Sequence, residues 1–167
     1  LPSRQDDGYG ICSHHVERAV QESFDLIITV DNGITAFQAV ETAHSLGIDL
    51  VITDHHEPQD KIPETLLVDP KLPGAVCYRE YSGAGVVYLT CCAVAQLLQR
   101  PEPDDFFDLV SLATVVDVCP LTGDNFLLAR RGLLQMRQNL RPGLQALLNG
   151  NRYQITGRTM GWILGPH

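Results

Sequence analysis

Two short runs of β-branched and aliphatic residues constrain the fold of this 167-residue chain more than any other feature. The first run covers Leu26–Val30 and the second covers residues 48–53, and turn-forming or polar residues follow each run. Runs of this length and composition predict buried strands. Between them, apolar residues recur at helical spacing from Thr35 to Gly47, a glycine that suits the left-handed end of a helix. This succession predicts a right-handed βαβ unit with parallel strands.

Polar residues with ligand chemistry stand directly after both strands. Asp31 opens the turn Asp31-Asn32-Gly33, and Asp54, His55 and His56 follow the second strand. The 23 positions from Asp31 to Asp54 are what one helix and one strand require. Because open α/β sheets bind ligands at the carboxyl ends of their parallel strands, we expect these side chains to meet at one edge of the sheet.

The remaining elements are predicted from the same two patterns, short apolar runs for strands and apolar residues at helical spacing for helices. We predict a third short strand at Leu66–Val68 and helices at residues 82–99, 104–116, 125–138 and 142–149. The predicted fold is α/β, with a largely parallel sheet and flanking helices in residues 1–80 and a mainly helical part in residues 81–167. The uncharged stretch 82–99 is too polar and too short to cross a membrane, so we expect a buried helix of a soluble protein there.

The cysteine pattern argues against a disulfide framework. Five cysteines are present, an odd number without a C-x-x-C pair, so neither disulfides nor a zinc ribbon is predicted. No basic segment precedes an apolar segment and a cleavage site, so we expect a reducing, cytoplasmic location. The adjacent pair His14 and His15 lies in a predicted helical segment, where we expect an exposed surface pair rather than a metal site.

The charge is unevenly distributed along the chain, although the net charge is only −8. Residues 1–125 hold all 20 acidic residues and 6 of the 12 basic ones, so this part carries −14. Residues 126–167 hold six arginines and no acid, so they carry +6. The acidic part argues against nonspecific nucleic-acid binding by the whole chain, whereas the arginines form either a solvated helix face or a surface for phosphates.

The strand-end residues have the chemistry of a metal site. Asp54, His55 and His56 supply oxygen and nitrogen donors without a thiolate, a set suited to Mn²⁺, Fe²⁺ or Zn²⁺, and Asp31 is placed to join them. Another carboxylate, Asp117, follows an apolar run, where a charge needs compensation such as a metal ion. The alternatives are a turn residue for Asp31, a helix-end residue for Asp117 and a surface loop for residues 54–56.

Seven stretches of the sequence carry a resemblance to a known family. In chain order they are residues 2–10, Val30-Asp31-Asn32-Gly33-Ile34, residues 51–58, Ser82-Gly83-Ala84-Gly85-Val86, residues 108–121, Arg141-Pro142-Gly143-Leu144 and residues 161–166. In this order and spacing they resemble the DHH phosphoesterase superfamily, and within it the branch of RecJ-type single-strand-specific 5′→3′ exonucleases. The similarity covers nearly the whole chain and is far more specific than a lone Asp-His-His.

The resemblance implies a mechanism and a role for each site residue. In this superfamily two divalent cations, usually Mn²⁺ and otherwise Mg²⁺, activate a water that attacks a phosphodiester. Asp31 resembles the carboxylate that bridges the two ions, and His55 and Asp117 resemble ligands of the second ion. By the same resemblance, Asp54 is a nearby supporting carboxylate and His56 contacts the phosphate.

The resemblance also implies contacts with DNA. Arg4 and Tyr9 match positions that touch the 5′ end of single-stranded DNA, Arg4 by pairing with a phosphate and Tyr9 by stacking on a base. The alternative for Tyr9 is a packed aromatic residue of a loop. The implied role is a hydrolase acting in DNA repair or recombination, with single-stranded DNA as partner and no membrane association.

The chain departs from the pattern of the family at both ends. Family members carry an upstream Asp-x-Asp motif for the first ion, and no substitute occurs in residues 1–30. They also continue into a second domain that binds DNA, whereas His167 follows Pro166 here. We therefore expect residues 1–167 to be a partial DHH domain that binds at most one metal ion well and has little nuclease activity by itself.

Two other functions fit the same sequence. The phosphoesterase chemistry can serve pyrophosphate, short oligonucleotides or cyclic dinucleotides, although Arg4, Tyr9 and the arginines near the C-terminus favour DNA. A non-catalytic interaction fragment that retains residues 54–56 for structural reasons is the other alternative. A Rossmann dinucleotide-binding domain is disfavoured, because no G-x-G-x-x-G follows either strand.

Overall fold

The computed structural model describes residues 8–148 and 154–166. The chain forms two compact units that divide between Cys77 and Tyr78. The first unit contains the sheet, and the second is helical.

The described residues of the first unit form five elements. In chain order they are α1 (Ser13–Gln21), β1 (Leu26–Val30), α2 (Phe37–Leu46), β2 (Asp49–Thr53) and β3 (Leu66–Val68). All three predicted strands are present, and α2 ends as predicted at Gly47, whose φ of +69° is in the left-handed region.

The sheet has the order β1-β2-β3, and both strand pairs are parallel, which confirms the predicted parallel arrangement. The pairing continues one residue beyond the strands: the Asp31 N–H donates to the Thr53 carbonyl, and the Asp54 N–H donates to the Val68 carbonyl, each at 3.0 Å. This register brings the residues that follow each strand to the same edge of the sheet.

The core of the first unit lies on one face of the sheet. Helices α1 and α2 pack together there and bury apolar side chains that include Val16, Ala43, Leu50 and Ile52. The opposite face of β1 is open, with Leu26, Ile28 and Val30 exposed by 48%, 57% and 49%. The prediction that this strand is buried is therefore wrong for one of its two faces, because alternate side chains of a strand point to opposite sides of a sheet.

The second unit is built from helices. In chain order they are α3 (Gly83–Leu97), a 3₁₀ turn (Asp104–Phe106), α4 (Phe107–Val116), α5 (Gly123–Gln138), α6 (Pro142–Leu147) and α7 (Gly157–Thr159), which runs into a π-helical turn (Met160–Leu164). Their bounds agree with the predicted helices to within about two residues, and Pro142 opens α6 at the position predicted for it.

Helix α3 is buried only over its first half, where Gly83, Gly85, Val86 and Tyr88 lie in the interior. Its second half is exposed and ends at Leu97, which is 83% exposed. The prediction of a buried helix is therefore wrong for this second half. No helix within the described ranges has the length and apolar content that a membrane span needs.

Two of the arginines near the C-terminus have structural partners within the second unit. The Nε of Arg141 lies 2.5 Å from the Oδ2 of Asp108, a carboxylate that is 1% exposed. The Nε of Arg137 donates to the Ile155 carbonyl at 2.8 Å. These side chains therefore hold segments of the helical unit together and do not form a uniformly solvated helix face.

Helices α4 and α5 pack tightly against each other at Gly132. A Cβ atom at this position would overlap with the Phe107 carbonyl and with the Cβ of Ser111. We predict that Gly132→Ala lowers the free energy of unfolding by about 3 kcal/mol, because the backbone of α4 must move to admit a methyl group. Urea denaturation monitored by circular dichroism measures this change.

Gly143→Ala is the matched control, because nothing lies within 4 Å of a Cβ atom at this position of α6. This substitution is expected to leave stability unchanged or to raise it slightly, since alanine favours helix. Equal stabilities of the two variants would show that α4 and α5 do not meet at Gly132.

Candidate metal centre

The turn after β1 holds Asp31 in an uncommon backbone conformation. Its φ is +64°, a left-handed value that aspartate and asparagine tolerate better than most residues. The turn is fixed from within: the Thr29 hydroxyl donates to the Asn32 carbonyl at 2.6 Å, and the Asn32 side-chain amide donates to the Val30 carbonyl at 2.9 Å. Such locally strained residues cluster at functional sites.

Gly33 lets this turn pack closely against β2. Its φ is +118°, and a Cβ atom would lie only 3.0 Å from both the Ile52 Cγ2 and the Thr29 Oγ1. Any other residue would therefore be strained and crowded here. The close packing brings the next amide, the Ile34 N–H, to 2.9 Å from the Oδ2 of Asp54.

Asp54 is fully buried and organises the other strand end. Its Oδ1 accepts the N–H of His55 at 2.8 Å and the Nδ1–H of His56 at 2.6 Å. Burial by itself raises the pKa of the Asp54 carboxyl, but the bonds from His56, Ile34 and His55 outweigh burial, so the net pKa is lowered. Asp54 is thus a buried carboxylate that stays ionised and fixes its neighbours.

His55 and Asp31 meet across the strand ends, as predicted. The His55 Nε2 lies 2.9 Å from the Asp31 Oδ1. That oxygen is buried and accepts no hydrogen bond from any described residue, so the contact is an ion pair when the His55 ring is protonated and a pair of candidate ligand atoms when the ring is neutral. Two adjacent ligand atoms of one octahedral cation, each about 2.1 Å from the metal, lie about 3 Å apart, which is the separation found here.

His56 completes this group. Ligand atoms of Asp31, His55 and His56 all lie within 4.8 Å of one another. Because an ionised carboxylate only accepts, the bond to Asp54 places a proton on the Nδ1 of His56. The Nε2 can then ligate a cation when the ring is neutral, or donate to a phosphate when the ring is protonated.

Tyr9 borders the same group. Its hydroxyl donates to the Asp31 carbonyl at 2.8 Å, and its ring meets the His56 ring edge-on with 5.9 Å between centroids. The ring is 59% exposed, so it is not the packed loop aromatic of the alternative interpretation. Arg4, the other residue predicted to contact DNA, lies outside the described residues.

Asp117 belongs to the second unit, where it ends α4 as the C-cap. Its N–H donates to the Ala113 carbonyl at 2.8 Å, and its side chain is exposed. The premise that this residue is buried is therefore wrong. Its participation in the site with Asp31 and His55 stays a prediction.

Sequence reasoning missed one carboxyl at this edge of the sheet. Asp69 follows β3, and the register places it beside Asp54. It is 6% exposed, its Oδ1 accepts the Lys71 N–H at 2.8 Å, and its Oδ2 is buried without a hydrogen bond from any described residue. Burial, followed by the nearby charge of Asp54, raises the pKa of Asp69.

The position of Asp69 directly after the third predicted strand is a sequence signal that identifies it as a candidate site residue. The same rule that selects Asp31 and Asp54 also selects the residue after β3, since all three strands are parallel. Its place in an Asp-Pro pair made it look like a turn residue that only closes the strand.

The donor set fits a hard or borderline divalent cation. Carboxylate oxygen and imidazole nitrogen are ligands that Mn²⁺ accepts. The buried Asp31 Oδ1, which accepts no hydrogen bond within the described part of the chain, is an oxygen that a cation would satisfy. The geometry therefore supports a metal centre formed by Asp31 and His55 with His56 beside it.

Two curated proteins of high similarity are described as single-stranded-DNA-specific exonuclease RecJ. The one from Bacillus subtilis is 36% identical over 99% of this chain, and the one from Dickeya dadantii is 37% identical over 99%. The chain spans only 21% and 32% of the lengths of these two relatives.

Solved structures show the same fold. A crystal structure of exonuclease RecJ bound to manganese matches with a TM-score of 0.89 at 32% identity, over 99% of this chain and 42% of that one. The structure of RecJ from Thermus thermophilus in complex with Mn²⁺ matches with a TM-score of 0.83 at 30% identity, over 94% of this chain and 24% of that one.

The sequence model of the N-terminal domain of the DHH family matches residues 3–114, about two thirds of the chain. This match includes both strand ends that form the candidate metal centre. The chain belongs to the DHH family.

Proposed function

We propose that this chain is part of a metal-dependent exonuclease that hydrolyses phosphodiester bonds of single-stranded DNA from the 5′ end. The observation that carries the proposal is the 2.9 Å contact between the Asp31 Oδ1 and the His55 Nε2, which has the separation of two ligands of one cation. The proposal is supported by relatives described as single-stranded-DNA-specific exonucleases and by fold neighbours described as bound to manganese.

Asp31 and His55 would hold a Mn²⁺ ion, with Mg²⁺ as the alternative ion. When bound, the metal lowers the pKa of a coordinated water and neutralises charge on the phosphate. We propose Asp117 as a further ligand, on the resemblance of residues 108–121 to the corresponding family motif. We also propose that this chain holds one ion at most with high affinity.

The protein groups around the ion have separate tasks. Asp54 fixes the His56 ring through the 2.6 Å bond to Nδ1 and fixes the turn through the Ile34 amide. His56, which is 46% exposed, is oriented to meet a phosphate oxygen with Nε2. Tyr9 presents an exposed ring beside His56, where a base can stack on it.

The biological setting of the proposal is DNA repair or recombination in the cytoplasm. The resemblance to RecJ-type exonucleases supports the process. The five cysteines, none of which forms a disulfide in the structure, support a reducing location.

The metal site can be tested directly with Mn²⁺. We predict that the wild-type chain binds Mn²⁺ and that His55→Ala weakens this binding at least about tenfold, because a neutral imidazole ligand is lost. Titration followed by electron paramagnetic resonance of free Mn²⁺ measures the affinity without relying on catalysis.

His44→Ala is the matched control, because His44 is an exposed histidine in the last turn of α2. It is expected to bind Mn²⁺ like the wild type. Equal affinities of the wild type and His55→Ala would contradict the proposed metal site and favour a non-catalytic fragment.

The two buried carboxyls at the sheet edge, Asp54 and Asp69, should respond to pH in opposite ways. The pKa of Asp54 is lowered by folding, so its contribution to stability exists above about pH 4 and is lost as the pH falls through its folded pKa. The pKa of Asp69 is raised, so its contribution exists below about pH 4 and is lost as the pH rises through its folded pKa.

We therefore predict that Asp54→Asn lowers the free energy of unfolding by about 2 kcal/mol at pH 7, and that this loss shrinks in acid. Asp69→Asn keeps the acceptor for the Lys71 N–H and is expected to raise stability at pH 7, with the gain vanishing below about pH 4. Thermal unfolding with chelator across this pH range measures both. A stabilising Asp54→Asn would contradict the assigned role of Asp54.

Contact of DNA with Tyr9 is testable by binding alone. We predict that Tyr9→Ala weakens binding of a 5′-phosphorylated single-stranded oligonucleotide by about 1 to 3 kcal/mol, because a stacking surface is lost. Tyr9→Phe keeps the ring and loses only the bond to the Asp31 carbonyl, so it should bind nearly as well.

Fluorescence anisotropy in the presence of Mn²⁺ measures these affinities. If Tyr9→Ala binds like the wild type, Tyr9 does not stack on DNA. If pyrophosphate or a dinucleotide displaces the oligonucleotide at low concentration, a small nucleotide is the better substrate.

A further inference from the structure

We infer that Cys12, His14 and His15 form a separate site for a thiophilic divalent cation of the Zn²⁺ class. Their ligand atoms, one from each side chain, all lie within 4.8 Å of one another. Imidazole and thiolate are both zinc ligands, and zinc sites with three protein ligands keep the fourth position for water. Sequence reasoning treated His14 and His15 as a surface pair and did not include Cys12.

The start of α1 holds these three residues in place. Cys12 is the N-cap of the helix and His15 lies in its first turn. Between them, the Ser13 hydroxyl donates to the Gln38 carbonyl at 3.3 Å and accepts from the Thr42 hydroxyl at 2.8 Å. These bonds anchor the first turn of α1 to α2, so the ligands project from a fixed segment of backbone.

The geometry requires only small side-chain movements to bind a metal. A tetrahedral zinc ion, with bonds of about 2.0 to 2.3 Å, has ligand atoms about 3.3 to 3.8 Å apart. Because the ligand atoms here all lie within 4.8 Å of one another, they exceed this range by about 1 Å at most, which side-chain rotation can close. The rings of His14 and His15 are already close, with 3.9 Å between their centroids and a tilt of 40°.

Metal binding competes with the capping box at the start of α1, in which the Cys12 side chain accepts the His15 N–H and the His15 side chain accepts the Cys12 N–H. The Cys12 N–H donates to the Nδ1 of His15 at 3.0 Å. A metal bound at Nδ1 replaces this bond, and a metal bound at Nε2 requires a proton on Nδ1, which repels the same N–H. We therefore expect Zn²⁺ affinity below that of a fully preformed structural zinc site.

Ligand chemistry separates this site from the one at Asp31 and His55. A thiolate with imidazoles favours zinc-like ions, whereas carboxylate with imidazole also accepts Mn²⁺. The two sites share no residue, so a result that contradicts one of them does not contradict the other. They are linked by the segment 9–12, since the Tyr9 hydroxyl bonds the Asp31 carbonyl.

Titration of the reduced chain with Co²⁺, a spectroscopic substitute for Zn²⁺, tests the site. The expected result is a thiolate-to-cobalt charge-transfer band in the near ultraviolet that Zn²⁺ bleaches, whether or not a second Co²⁺ binds at Asp31 and His55 without such a band. Cys12→Ser should abolish the band while preserving α1, because serine is a favourable N-cap. His15→Gln should also abolish it, although glutamine at this position retains a capping box.

Two controls make the assignment specific. Cys77→Ser removes an exposed cysteine of the same unit and should leave the band unchanged. His55→Ala removes a ligand of the proposed Mn²⁺ site and should also leave it unchanged. A wild type without the band, a band that survives Cys12→Ser, or a band that survives both His14→Ala and His15→Gln would overturn the inference.

Discussion

The parallel pairing of the three strands is the constraint on which the site depends. Because β1, β2 and β3 run in the same direction and their ladder continues one residue past each strand, the chain must deliver Asp31, Asp54 and Asp69 to a single edge of the sheet. An antiparallel partner would send one of these ends to the opposite edge. The left-handed backbone at Asp31 and the crowded Gly33 then turn the chain sharply enough for the Asp31 side chain to reach His55.

Three carboxyls at one edge of a sheet repel one another, and the structure gives each a different environment. Asp54 is surrounded by donors and stays ionised, whereas burial disfavours the ionised form of Asp69. Asp31 keeps half of its side chain in contact with water while one oxygen lies buried against His55. Environments that push the pKa values of neighbouring carboxyls apart are typical of sites in which such groups have different tasks. Here the tasks that fit are ligand for Asp31 and support for Asp54.

Sequence reasoning succeeded where a simple rule connects a sequence pattern to a place in the fold, such as the end of a strand. The spacing of β-branched runs predicted the parallel strands, and the residues after them predicted the meeting of Asp31 with His55. It failed where burial decides: β1 is open on one face, the second half of α3 is exposed, and Asp117 is exposed at the end of α4. It also missed Asp69, which the rule for strand ends selects, and the proximity of Cys12 to His14 and His15, which no motif indicates.

The amino-acid sequence by itself determined the order and type of the elements, the ligand types at the strand ends and the family. These follow from local periodicity, from turn residues such as Gly33 and Gly47, and from motifs in a fixed order. Only the tertiary structure decided which atoms face each other and which charges are buried. The raised pKa of Asp69, the 2.9 Å approach of His55 to Asp31 and the pairing of Arg141 with Asp108 all depend on distances between residues far apart in the chain. Such distances are set by packing, which no local pattern encodes.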